Sequence, residues 1–127
     1  MREIEVKRAI GKRCWVFGDG DLPPAGAKEP FGHEALMITN TGGKEAVVEL
    51  ELLFEDRDPV RGIRLSVGAQ RVKCVRLDRP VGQPPYSIKP GQYAVVLRSS
   101  VPVVAVFGRL DVRQDNLAYY SVQGFSA

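Results

Sequence analysis

The sequence predicts an all-β chain folded as a two-layer antiparallel β-sandwich, and three observations carry that prediction. Valine leads the aliphatic residues, and its stiff, branched Cβ suits a pleated, half-buried strand. The 13 Gly and 9 Pro supply turns at short intervals along the chain. The segment from Glu45 to Glu55 places Val48, Leu50, Leu52 and Phe54 on one face and Glu49, Glu51 and Glu55 on the other, with Leu53 among the glutamates. A period of two with one wet face marks an antiparallel strand.

The remaining elements follow in order. Residues 2–8 alternate weakly and are a candidate strand. Arg13 to Phe17 is a short apolar strand carrying the single tryptophan, Trp15. Gly18 to Gly32, with Pro23, Pro24 and Pro30, is an irregular stretch; long loops in compact domains are often functional. His33 to Asn40 is a strand, and Asn40-Thr-Gly-Gly43 is a turn built from residues that tolerate positive φ. Ile63, Leu65 and Val67 mark the next strand. From Gln70 to Leu77 the inward set begins as Val72 and Cys74 and shifts to Val75 and Leu77, which predicts a β-bulge. After the irregular Pro80–Pro90, two long strands run over Gln92–Ser99 and Val103–Arg113, separated by Ser99-Ser-Val-Pro102, and Leu117–Phe125 is a terminal strand. Strands so spaced read as a sandwich.

The 127 residues make one domain, 1–127, able to bury roughly two-thirds of its unfolded surface without a disulfide or a metal. No apolar run reaches the ~20 residues that span a bilayer, and the first residues lack a signal-peptide core. The expected location is therefore the cytoplasm, where Cys14 and Cys74 stay reduced; both lie in apolar stretches and are expected to be buried thiols. The net charge of +3 is mild and no run of five like charges occurs, so nothing in the charge pattern singles out nucleic acid as a partner.

Catalytic patterns are missing. His33 is the only histidine, there is no Gly-x-Ser-x-Gly elbow, and Gly18-Asp-Gly20 opens no phosphate-binding motif. One His and two separated Cys do not make a zinc site. Neither an enzyme nor a metal protein is expected. Two polar clusters remain. His33-Glu34 stands where the Pro/Gly stretch enters a strand, as either a polar strand end or a site. In Arg109-Leu-Asp-Val-Arg-Gln114, strand geometry puts Arg109, Asp111 and Arg113 on one face with Phe107, with Leu110 and Val112 expected to pack the core. That row is either a solvated salt bridge or a fork-and-carboxylate site for hydroxyl-rich or anionic ligands. His33 is expected to fold over it in a shared site. Trp15 is either a core residue or an aromatic face for a sugar ring.

Five segments carry a family likeness: Ile10-Gly-Lys-Arg-Cys-Trp15, Leu22-Pro-Pro24, Phe31-Gly-His-Glu34, Ile38-Thr-Asn40 and Arg109-Leu-Asp-Val-Arg-Gln114. Together they resemble the sensory rhodopsin transducer family, from residue 10 to the C-terminus. The resemblance implies a β-sandwich protomer, a homotetramer, no cofactor and a non-enzymatic role in signal transduction. It further implies a site for a small polar ligand such as a saccharide, and a sensor protein as partner. On that reading the ligand-binding residues are His33, Glu34, Arg109, Asp111, Arg113, Gln114 and Trp15. Two rival classes stand beside it: a pure protein-interaction subunit, with those residues bridging protomers, and a DNA-binding regulator. Apolar Val47 and Leu53 on the glutamate face of their strand point to self-association.

Overall fold

The computed structural model describes residues 8–127, so the candidate strand at 2–8 lies outside the described residues but for Arg8, which is in no strand. Eight strands follow: β1 (Lys12–Leu22), β2 (His33–Asn40), β3 (Ala46–Leu53), β4 (Val60–Val67), β5 (Arg71–Arg76), β6 (Gly91–Asp111), β7 (Ala118–Gln123) and β8 (Phe125–Ser126). All pairings are antiparallel. A front sheet has the order β4-β3-β6-β1-β8. A back sheet is β5-β2-β6-β7. The all-β sandwich is as the sequence predicts.

Both sheets share β6. Its first half, to Ser99, lies between β1 and β3; its second half, from Val104, lies between β2 and β7. The two strands expected here are thus one strand of 21 residues. Ser100, Val101 and Pro102 have no registered partner opposite them. Proline lacks a ladder donor, and it falls where the strand bends from one sheet into the other and none is required. Trp15 holds this corner: its indole N–H is shared between Lys12 O (3.1 Å) and Val103 O (3.0 Å). Gly11 is forced here, at φ 117°, because a Cβ would meet Val103 O.

The core forms where the alternating faces meet. Ala46, Val48, Leu50 and Leu52 of β3 are buried against Leu36 and Ile38 of β2, and Phe17 stacks between Trp15 and Phe107. Three expectations are corrected. β5 pairs with β2 without a register shift, so there is no bulge; Val75 and Leu77 are buried while Val72 and Cys74 point outward. Cys74 is therefore exposed and Cys14 half-buried, both as free thiols, and neither is the fully buried residue expected. β1 continues past Phe17 through a bulge to Leu22, taking up the start of the irregular stretch.

The turn after β2 is held by chemistry other than positive φ. Asn40 is fully buried. Its amide donates to Lys44 O (2.8 Å), Val67 O and Gly68 O (both 3.2 Å), and its carbonyl accepts from Gly42 N (3.0 Å). One side chain of the back sheet thereby satisfies the backbone where β3 begins and where β4 ends in the front sheet. Asn40→Ala removes these bonds and strands buried carbonyls, so the expected loss is at least about 2 kcal/mol in urea unfolding; a change within a few tenths of wild type would contradict this role.

Candidate functional site

At the other end of β2, the side chain of Glu34 is completely buried. The buried phenol of Tyr93 donates to its Oε1 (2.7 Å). Its Oε2 accepts from Arg109 Nε (2.8 Å) and from the Asp21 backbone N–H (3.0 Å). Arg109, 8% exposed, also donates to Asp19 O, a carbonyl that lies in the β1 bulge between Phe17 and Gly20. Glu34 and Arg109 sit opposite each other across β2 and β6 in the back sheet. Tyr93, Asp19 and Asp21 belong to the front sheet. The network is a pin between layers. Burial first, then the charge and hydrogen bond of Glu34, push the Tyr93 phenol far above its ordinary range. Gly20 makes room for that ring, since a Cβ there would meet the Tyr93 carbonyl at 2.6 Å and the ring at 2.9 Å.

The expected exposure of the row holds at Asp111 and Arg113, half-exposed and exposed, and is reversed at Arg109. Arg109 points inward beside Phe107, while Leu110 is half-exposed on the outer face and Val112 lies against the 23–32 loop at Gly26 and Gly32. Alternation on β2 puts Glu34 on the core face and His33 on the outer face, so His33 and Arg109 are on opposite faces of one sheet. The ring Nδ1 of His33 is 2.9 Å from Phe31 O, and His33 lines a cleft of about 490 Å³ with Glu29, Pro30, Arg76 and Arg79. Trp15 is a core residue, 5% exposed.

Asp111, Arg113 and Gln114 do come together. They line a cleft of about 430 Å³ with Asn116, Ala118 and Tyr120. Arg113 grips Asp111 as a fork: Nε lies 3.0 Å from both carboxylate oxygens, Nη2 closes on Oδ2, and the Arg113 backbone N–H adds a bond to Oδ1 (3.0 Å). The side-chain bonds of Arg113, then its backbone N–H, hold the Asp111 carboxyl down at about 2. Tyr120 lies over Arg109, the guanidinium 5.1 Å from the ring centroid, a cation–π distance. Tyr93, Asn116 and Tyr120 carried no sequence signal. Each acquires its place only through the pairing of β6 with β1 and β7. Among the described residues no group of three or more His, Cys, Asp or Glu is gathered for a metal, and no helix is long and apolar enough to cross a membrane.

Two outcomes follow from this geometry. Glu34→Ala leaves the Arg109 cation and the Tyr93 hydroxyl buried without their acceptor, and costs about 3–5 kcal/mol in urea unfolding; a loss under about 1 kcal/mol would show a solvated pair. The folded-state pKa of Asp111 is depressed, so its contribution to stability is present above the unfolded value of 3.8 and is lost as pH falls through about 2. A carboxyl-detected NMR titration gives a midpoint near 2 if the fork is closed in solution, and near 3.8 if it is open.

Comparison with known proteins supplies the context. A family model described as "Anabaena sensory rhodopsin transducer" matches residues 10–126. The crystal structure of Thermotoga maritima 1070 is 31% identical, with a TM-score of 0.82 over 92% of this chain and 96% of that one. The Anabaena sensory rhodopsin transducer is 37% identical, with a TM-score of 0.67 over 76% of this chain and 93% of that one. Among curated protein sequences none matches. The match over nearly the whole chain, in sequence and in fold, shows that the protein belongs to the Anabaena sensory rhodopsin transducer family, a family of non-enzymatic adaptors in signal transduction.

Proposed function

We propose that this adaptor is a homotetramer that binds a small polar ligand, a saccharide, in the Asp111 cleft and passes the binding event to a partner protein through its assembly. The observation that carries the reading is the Arg113–Asp111 fork beside the Tyr120 ring, with the amides of Gln114 and Asn116 on the same cleft. Small-ligand sites combine an apolar wall with a few placed polar groups. Here Tyr120 offers a face for the C–H side of a sugar ring. Arg113, Gln114 and Asn116 offer hydroxyl partners, and Asp111 fixes the guanidinium plane. Of the sequence-derived set, Asp111, Arg113 and Gln114 are the ligand contacts on this reading. Glu34 and Arg109 act behind them, and the aromatic face passes from Trp15 to Tyr120.

Self-association is supported by the contrast between the two outer faces. The front sheet presents paired charges: Glu51 with Arg61 and Arg98, and Glu49 with Arg64. Leu53 is half-buried and Val47 stands alone beside these pairs. The back sheet presents Met37, Val72, Val104, Val106, Leu110 and Tyr119, all partly or well exposed. An apolar sheet face of this kind suits a second copy of the chain. β7 links both functions, with Tyr120 facing the cleft and Tyr119 the outer face.

The test is a saccharide panel by thermal shift together with light scattering. Expected are a saturable stabilisation by at least one saccharide, its loss in Arg113→Ala and Tyr120→Ala, and a tetrameric mass that Val106→Lys lowers. A monomeric wild type removes the assembly. Absence of any saturable shift removes the ligand and leaves a protein-interaction subunit.

A further inference from the structure

We propose that the cleft between β4 and β5 is a second binding site, one that takes an organic phosphate. β4 and β5 are edge strands of different sheets, and the sandwich gapes between them. The opening is a cleft of about 750 Å³, within the range of small-molecule sites. Lys73 Nζ crosses it to Ser66 O (3.1 Å). The segment after β5 closes one end by pairing with β4: Arg64 N–H donates to Gln83 O (3.2 Å) and Gln83 N–H to Arg64 O (2.8 Å). Gly82, at φ 71°, lets that segment approach, since a Cβ would lie 2.5 Å from Ile63.

Four cations line this cleft, Arg64, Lys73, Arg76 and Arg79, and no carboxylate lines it. Two are partly neutralised from outside: Arg64 lies 3.6 Å from Glu49, and Arg76 is held as a fork by Asp78 at 2.8 Å. Lys73 and Arg79 have no carboxylate partner among the described residues. Leu65, Val75 and Val81 add apolar wall. In a chain of net charge +3, this leaves two cations without a carboxylate partner in one concavity, where potential is focused.

The ordinary role of Lys and Arg on edge strands is to stop pairing with other chains. That role does not account for Arg64, because the edge of β4 is already occupied by Gln83 at this position. It also does not account for Lys73 and Arg79, which line an apolar-walled hollow with no carboxylate partner among the described residues. Guanidinium forks and an ammonium match phosphate oxygens, and the apolar wall matches a planar or aliphatic body joined to them. A closed end and a concave shape favour a small molecule over a duplex.

The test is isothermal titration of the full chain at low salt with ADP, inorganic pyrophosphate and inorganic phosphate. ADP and pyrophosphate bind saturably, and ADP binds tighter than phosphate. The exposed substitutions Arg79→Gln and Lys73→Gln each weaken ADP about tenfold, the worth of one charge-assisted hydrogen bond. Arg57→Gln, which removes an equal charge from the distal β3–β4 connection, leaves ADP affinity unchanged. The proposal is overturned by absence of saturable ADP and pyrophosphate binding, by equal losses in Arg57→Gln and Arg79→Gln, or by a 20-base-pair duplex binding tighter than ADP with a steep salt dependence.

Discussion

The carboxylate of Glu34 is the constraint on which the arrangement of the two layers depends. A charge with no solvent exposure is tolerable only when its lone pairs are spoken for. Glu34 meets that condition with one partner in its own sheet, Arg109, and two in the other, Tyr93 and the Asp21 N–H. Apolar packing between the sheets is non-directional and would tolerate sliding. The pin sets where β1 and the first half of β6 lie relative to β2. It also accounts for the β1 bulge, because a regular strand would spend the Asp19 carbonyl that Arg109 uses on its neighbour. Asn40 does the same work at the opposite end of β2.

What was legible in the sequence follows from what is local. The inward set of β3 is legible because the strand alternates cleanly over eight residues, and the bounds of β2 are legible because a Pro/Gly stretch precedes it and Asn40-Thr-Gly-Gly43 follows it. The segments that carry the family likeness, Phe31-Gly-His-Glu34, Ile38-Thr-Asn40 and the Arg109 run, prove to hold both buried polar pins. The facing of β6 was misread for a physical reason. Its second half is apolar on both sides, Val103, Ala105 and Phe107 against Val104, Val106 and Leu110, so periodicity does not set its phase. The charge of Arg109 then argued for solvent, whereas its partner lies 75 residues away. β5 failed similarly: as an edge strand it leaves Val72 and Cys74 exposed, and apolar residues at an edge look the same in sequence as core residues.

The candidate site was legible in part. Asp111 and Arg113 bond each other two residues apart, and a contact that short is visible in sequence. Tyr120 reaches the cleft by hairpin register, because its strand partner is Arg109. The long Pro/Gly loop that ends at His33 suggests a site shared with that row, but one residue of offset along β2 sends His33 to the other face, beside Arg76 and Arg79.

On the proposed function, the same register places the ligand-facing and assembly-facing residues of β7 one peptide unit apart. Across β7, consecutive residues face opposite ways. Tyr120 lies on Arg109 on the core side, and Tyr119 lies over Gly108 on the outer side, where a Cβ at 108 would meet its hydroxyl at 2.3 Å. On that proposal, a ligand that shifts the Tyr120 ring would act at once on the cation that ties the sheets and, through one peptide unit, on the aromatic residue of the outer face. No long pathway is required. β7 is a single edge strand, held on one side by β6 alone, and an edge strand with one partner is the part of a sandwich that can move at least cost.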